Sequence, residues 1–182
     1  MRIICGSHRS RRIIPPNGLP VRPTTDLAKE SLFNILNNRI DFDEISVLDL
    51  FSGTGNISYE FASRGATEIM AVELNPKCAA FIEKSAEALG FKIMSIIQTN
   101  VFTFLPVIKR KFDLIFADPP FESEDISKLP DLIFTHNLLA PDGWVVIEHP
   151  RNVKFQAHPN FTEHRQYGKV NFSFFRNVED QS

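Results

Sequence analysis

Only two cysteines, Cys5 and Cys78, occur among the 182 residues, and no Cys-x-x-Cys pair exists. That spacing supports neither a disulfide framework nor a cysteine-held metal, and a reducing compartment is expected. No stretch approaches the roughly 18 consecutive apolar residues of a membrane span. Arg2 is followed by a short apolar pair and then by more arginines, which is not the pattern of a secretory leader. There is no internal repeat, low-complexity tract or clear linker, which sets aside solenoids and disordered tails. A soluble, cytoplasmic, monomeric protein without a membrane partner is the expectation. Aromatic variety is also scarce: one Trp and two Tyr stand beside 17 Phe, so phenylalanine carries the aromatic packing. With 43% hydrophobic and 23% charged residues the composition is globular, and a chain this long buries about two thirds of its unfolded surface in one core.

The net charge of −2 argues against a general affinity for polyanions, but it conceals a split. Residues 1–39 hold Arg2, Arg9, Arg11, Arg12, Arg22, Lys29 and Arg39 against Asp26 and Glu30, a net of +5, which leaves −7 for the remainder. A basic arm on an acidic body concentrates electrostatic attraction in one place; a solvated basic terminus is the alternative. Residues 1–40 are therefore read as a basic extension with a helix, and 41–182 as the core of what is overall a single domain.

Within the extension, residues 2–4 and 11–14 are short runs separated by Gly6, Ser7 and Ser10. They suit a small hairpin, or a strand and clamp that order only on a partner. Thr24 or Thr25 can cap a helix over 26–38 with acidic residues in its first turns. Leu27, Leu32, Ile35 and Leu36 make its packed face, leaving Lys29 and Arg22 available to a ligand. After Asp41 the pattern alternates. Strands are predicted over 47–51, 69–73, 93–97, 112–117 and 144–147, with helices over 57–62 and 76–89 and a short one over 101–105. Strands apolar throughout, separated by helix-length segments, indicate an α/β protein whose mostly parallel sheet is covered on both faces. Residues 162–167 and 169–176, separated only by Gly168, read as two antiparallel strands.

Val47 to Asn56 is a strand delivering a glycine turn into a helix. Gly53 and Gly55 let the backbone bend and approach a bound group, and with Asp49 and Phe51 they are candidate cofactor contacts. The next strand ends at Glu73, whose carboxylate suits both hydroxyls of an adenosine ribose, or else caps the helix starting at Asn75-Pro76. Ser58 stands where a dinucleotide site would have its third glycine, so the turn suits a cofactor lacking pyrophosphate, such as S-adenosylmethionine. Asn100 and Val101 follow the third strand, placed either to meet an adenine edge and face or to serve as cap and core.

The sharpest chemical signal is Asp118-Pro119-Pro120-Phe121. Two prolines fix φ and remove two amide donors, so the turn is rigid. Asp118 is thereby held at the carboxyl end of a central strand, where open sheets bind ligands, with Phe121 beside it. An acceptor next to an aromatic plane suits a flat substrate bearing an amine. Such an amine gains positive charge as it attacks a sulfonium methyl, and Asp118 with the Pro119 carbonyl can accept its hydrogens while Phe121 stacks on the ring. No metal is required.

Taken together, Arg2-Ile3-Ile4-Cys5-Gly6 with Arg9 and Arg11, Val21-Arg22-Pro23-Thr24-Thr25-Asp26, Lys29 to Leu36, Leu48 to Gly55, Glu60, Ser63 to Ala66, Glu73, Asn100 and Asp118 to Phe121 resemble the bacterial 16S ribosomal RNA guanine-N2 methyltransferase family. The resemblance implies a Rossmann-like class I methyltransferase fold, with a mostly parallel seven-stranded sheet and an antiparallel C-terminal strand. It implies methyl transfer from S-adenosylmethionine, giving S-adenosylhomocysteine, to a guanine amine of 16S ribosomal RNA in the small subunit. Glu73 would hold the ribose, Asn100 the adenine, Asp118 the guanine amine, and the early arginines the RNA. Cys5 stands where a second glycine is usual, Ser10 replaces another glycine, and Lys29 takes a position where Arg is common, which exchanges a planar fork for a point charge. Adenine-N6 methylation of DNA, glutamine methylation of a protein, and a noncatalytic RNA-binding assembly protein are the competing readings.

Overall fold

The computed structural model describes residues 1–19, 26–123 and 125–178. The proposed caps Thr24 and Thr25 and the candidate RNA contact Arg22 lie outside them. Among the described residues seven strands form one sheet: β1 (Ser46–Leu50), β2 (Glu68–Glu73), β3 (Met94–Gln98), β4 (Phe112–Ala117), β5 (Leu139–His149), β6 (Phe161–Tyr167) and β7 (Val170–Phe175). Their order is β3-β2-β1-β4-β5-β7-β6. The first five run parallel, and β7 lies antiparallel between β5 and β6. From β1 the chain winds outward through β2 to β3, then crosses back to β4 on the other side of β1. That reversal leaves a crevice beyond the carboxyl ends of β1 and β4.

Strand periodicity assigns each residue to a face. Val47, Ile69, Leu114, Phe116, Val146, Phe172 and Phe174 face one core layer. It is closed by α1 (Asp26–Leu36), α2 (Asn56–Arg64) and α3 (Pro76–Leu89). Leu48, Leu50, Ile115, Val145, Ile147 and Phe175 face the other, closed by the short α4 (Val101–Phe104) and α5 (Leu129–Thr135). Helix ends follow local chemistry. The Asn75 side chain accepts from the amides of Lys77 and Cys78 ahead of Pro76, and Gly90 ends α3 at φ 72°.

Three segments depart from the sequence reading. β5 spans 11 residues rather than the four of 144–147, because its register against β4 shifts between Phe112 and Leu114. The irregularity absorbs Pro141, Asp142 and Gly143, residue types that ordinarily favour turns. Helix α5, with Pro130 in its first turn, is too short to carry a periodic signal. In α1 the packed face is Ala28, Lys29, Leu32, Phe33 and Leu36, while Leu27 is 70% exposed and the helix ends two residues before Asn38.

The N-terminal arm folds back on itself without a partner. A single antiparallel bridge pairs Arg2 with Arg12, the Ile3 amide donates to Arg11 O (2.9 Å) and the Ile13 amide to Met1 O (3.0 Å). Ile3 and Ile13 are buried in the same layer as α1 and α2. The arm is pinned along α2: the amides of Ile4 and Cys5 donate to Glu60 Oε2 (2.8 Å) and Oε1 (3.0 Å), and the Ser7 amide to Ser63 O (2.7 Å). Gly6 makes this approach possible, since a Cβ there would sit 1.7 Å from Ser63 O. Ser10 adopts φ 70°, a conformation costing about 1 kcal/mol or more for a non-glycine residue.

Lys29 is the main correction among the candidate RNA contacts. Its side chain is fully buried and its Nζ donates to Arg2 O (2.5 Å) and Asn56 Oδ1 (2.9 Å), 3.4 Å from Glu60. Burial lowers its pKa, partly offset by Glu60. Arg64 completes the set, donating Nε–H to Glu60 Oε1 at 2.9 Å with its guanidinium 4.4 Å from the Phe33 ring. Lys29 supports the arm and is not a surface cation. Replacing it by Met leaves the Glu60 charge buried with fewer partners, and a loss of about 3–5 kcal/mol is expected in chemical denaturation; parental stability in that variant would contradict the supporting role.

Candidate active site

At the reversal point a cleft of about 850 Å³ opens over the carboxyl ends of β1, β2, β4 and β5. Asp49, Phe51, Gly53, Glu73, Asn100, Val101, Asp118, Pro119 and Phe121, all singled out from sequence, line it together. Gly55 does not. It caps α2 at φ 79°, where a Cβ would come within 2.8 Å of the Tyr59 ring, so it shapes the turn from behind the wall.

One end of the cleft is built around the glycine turn. Gly53 adopts φ 57° and donates its amide to Glu73 Oε2 (2.8 Å), while the Asn75 amide donates to Glu73 Oε1 (2.7 Å). Glu73 therefore clamps the turn and the start of α3, and each carboxylate oxygen retains further acceptor capacity toward the cleft. The capping alternative for Glu73 holds in part, since it takes the Asn75 amide while the Asn75 side chain caps α3 itself. Asn100 does serve as a cap, its Oδ1 accepting from the Phe102 amide (2.8 Å), which leaves its amide nitrogen as the group able to reach a ligand. Val101 is 3% exposed on the same wall. Phe51, expected to end β1, instead takes φ 61° and leaves the strand, its ring 5.9 Å from that of Phe102. A non-glycine residue held there stores strain at the site.

The carboxyl of Asp49 departs strongly from its ordinary value. Burial pushes its carboxyl up to about 7, opposed by a hydrogen bond from Ser58 and reinforced by the negative charges of Asp118 and Glu73. Ser58 thus has a positive role at the position where the third glycine is missing. At the other end, Ala117 leads into the proline pair, and the Asp118 amide bonds Leu50 O (3.3 Å), tying the turn to β1. Pro119 is buried, Pro120 exposed, and Asp118 and Phe121 partly exposed.

The basic extension is less cationic in space than in sequence. Lys29 is internal, Arg39 is bound to Glu163, and Arg2 lies 3.8 Å from both Asp26 and Glu30. Arg9, Arg11 and Arg12 are exposed, and no carboxylate among the described residues forms an ion pair with them. The arm begins at the cleft edge, with Met1 Sδ 3.5 Å from Thr54 Oγ1. Among the described residues no group of three His, Cys, Asp or Glu is placed to hold a metal ion, and no helix is long and apolar enough to cross a membrane. Sequence reasoning gave no role to Glu60 or Glu148. Glu60 follows the glycine turn on the inner face of α2, which helical spacing alone could have flagged; Glu148 was hidden by the misjudged length of β5.

Residues 1–176 match the family described as conserved hypothetical protein 95. The chain belongs to this family. It is 30% identical over 183 residues to the ribosomal RNA small subunit methyltransferase D of Haemophilus influenzae, covering 97% of this chain and 94% of that protein. A solved structure of a hypothetical protein from Thermus thermophilus superposes with a TM-score of 0.84 at 25% identity, covering 97% and 99% of the two chains. A protein provisionally described as a methyltransferase and solved with SAH is 18% identical. It shares the fold with a TM-score of 0.68 over 82% of this chain and 49% of its own. The Rossmann-like methyltransferase fold with seven strands, expected from the resemblance, is the fold of this family member.

The raised carboxyl of Asp49 predicts a pH dependence. The folded chain binds this proton more tightly than the unfolded chain, so the contribution to stability is fully present below the ordinary Asp range and is lost as pH rises toward 7. Denaturation of the ligand-free protein should show stability falling between about pH 4 and pH 7, by at most about 1.4 kcal/mol per unit. Asp49→Asn should lack that slope; an identical slope would place the titration elsewhere.

Proposed function

We propose that this protein transfers a methyl group from S-adenosylmethionine to the exocyclic N2 amine of a guanine in 16S ribosomal RNA of the small subunit. The observation that carries the reading is the meeting, in one cleft, of the Gly53–Glu73 clamp with the Asp118-Pro119-Pro120-Phe121 turn. The relatives named as small-subunit ribosomal RNA methyltransferases support the substrate class.

The residues fit the donor. The glycine turn presents no Cβ at Gly53, Glu73 has acceptor capacity left for the ribose hydroxyls, and Asn100 with Val101 and Phe102 offers a polar edge and an apolar face for adenine. Asp49, poised near neutrality, gains a reason to ionise when a cationic group approaches. When bound, the donor supplies an electrophilic sulfonium methyl, leaving as S-adenosylhomocysteine.

The chain's own residues do the rest. Phe121 stacks on the base and fixes its plane. Asp118 and the Pro119 carbonyl accept the two amine hydrogens, directing the nitrogen lone pair at the methyl group. As the nitrogen gains positive charge the Asp118 carboxylate stabilises it, and because the prolines hold this acceptor in advance little reorganisation is needed. Arg9, Arg11 and Arg12, with Arg2 partly neutralised by α1, supply phosphate contacts; Arg22 is assigned to the same surface from sequence. An RNA substrate inside the ribosomal particle accords with a cytoplasmic monomer.

Methyl transfer to purified small subunits from cells lacking the activity, followed by nucleoside mass spectrometry, should yield N2-methylguanosine. N6-methyladenosine or no product would reject the assignment. Asp118→Ala should lower kcat by about 100-fold or more while donor binding is kept, and unchanged turnover would remove Asp118 from the chemistry. Replacing Arg9, Arg11 and Arg12 together by Ala should weaken RNA binding and flatten its log–log salt dependence by about two to three units. The corresponding Lys29 variant should leave that slope intact.

A further inference from the structure

We infer that Glu148 is a second base-reading carboxylate, accepting the N1–H of the guanine whose amine Asp118 holds, and that this contact lets the cleft choose guanine over adenine. The inference deepens the proposed function and rests on it.

Placement comes from the sheet. Phe116 pairs with Val146 and Ala117 with Ile147 across the parallel strands β4 and β5. The next residues in register are Asp118 and Glu148, at the carboxyl ends of strands about 4.8 Å apart. Side-chain alternation puts both on the face of Leu114, Phe116 and Val146, and both line the cleft. The donor half is remote from Glu148, because β1 and β4 separate β5 from β2 and its Glu73. Glu148 is only 6% exposed, with Phe172 opposite it on β7. A carboxylate has several acceptor sites on its two oxygens, and a ligand bearing an N–H beside its amine can use one of them.

Base chemistry then discriminates. Guanine presents its N1–H and its N2 amine side by side, so two adjacent acceptors satisfy that edge. Adenine presents an amine beside a bare N1 lone pair, which a carboxylate repels. Asp118 alone accepts from either amine; Asp118 with Glu148 accepts only the guanine pattern. A site built around a substrate N–H rejects an analogue lacking it far more strongly than a site built on shape alone.

The test uses 2-aminopurine, which keeps the exocyclic 2-amine and has a lone pair at N1. With small-subunit RNA in which the mapped acceptor guanine is replaced by 2-aminopurine, the parent should methylate guanine at least about 100-fold faster in kcat/KM. Glu148→Gln keeps the size of the side chain and adds a donor able to meet the bare N1. It should lower kcat/KM on guanine by about tenfold or more and shrink the guanine preference by at least the same factor, with S-adenosylmethionine affinity unchanged. A merely structural Glu148 would lower both rates together and leave their ratio alone, which would overturn the inference while the proposed function stands. Equal parental rates on the two bases would also overturn it, and need no variant. Failure of the parent to form N2-methylguanosine would remove both readings.

Discussion

The buried carboxylate of Glu60 is the contact on which the rest of the molecule hangs. It receives two amides from the arm, the Arg64 guanidinium from its own helix, and the Lys29 ammonium from α1. Lys29 in turn grips Asn56, the first residue of α2 and part of the cleft wall. The arm, α1 and the glycine turn thus share one polar node inside an otherwise phenylalanine-rich layer. A buried ion pair is a poor source of net stability, but it punishes any arrangement that leaves a member alone. Its effect here is to permit one relative position for the arm and the cofactor turn.

A second constraint follows from strand periodicity. Asp49, Glu73, Asp118 and Glu148 lie within one residue of the carboxyl ends of β1, β2, β4 and β5, and parity places all four on the same face of the sheet. Four acids gathered around one cleft repel one another, and the structure relieves this in different ways. Glu73 accepts two backbone amides, whereas Asp49 is the deepest of the four, is bonded by a hydroxyl and has its carboxyl pushed up to about 7. The cleft is consequently a receptor for positive charge and for N–H donors, which are the attributes of a sulfonium donor and of a base edge that becomes cationic on methylation.

Much of this was legible in the sequence because the signals were local. Apolar runs fixed the strands, Asn75-Pro76 and Gly90 fixed the ends of α3, and Asp118-Pro119-Pro120 fixed the rigid turn. What was hidden depended on tertiary contact. Lys29 sits on a helix where a long cation normally reaches water, and only the fold shows that Glu60, Asn56 and Arg2 O converge on it. Ser10 and Phe51 adopt left-handed φ values that neither residue type announces. Glu148 lay one residue past the reading of β5, where the apolar run gives way to Glu148, His149 and Pro150 although the strand continues to His149.

The position of Lys29 also changes how the arm should be understood. Had it been a surface cation, the arm would be a loose tether gaining order from RNA, and each bound phosphate would have to offset the entropy of fixing the chain. Instead Ile3, Ile13, Gly6 and the Glu60 node hold the arm before any ligand arrives, at the cost of a left-handed Ser10. The exposed Arg9, Arg11 and Arg12 then stand on a rigid support whose base touches the cleft wall through Met1 and Thr54. Charges fixed in this way lose less entropy on binding and set the distance between a captured phosphate and the Asp118 turn. Under the proposed function, recognition of the backbone and presentation of the base are geometrically linked, through a helix and a salt bridge that neither ligand needs to touch.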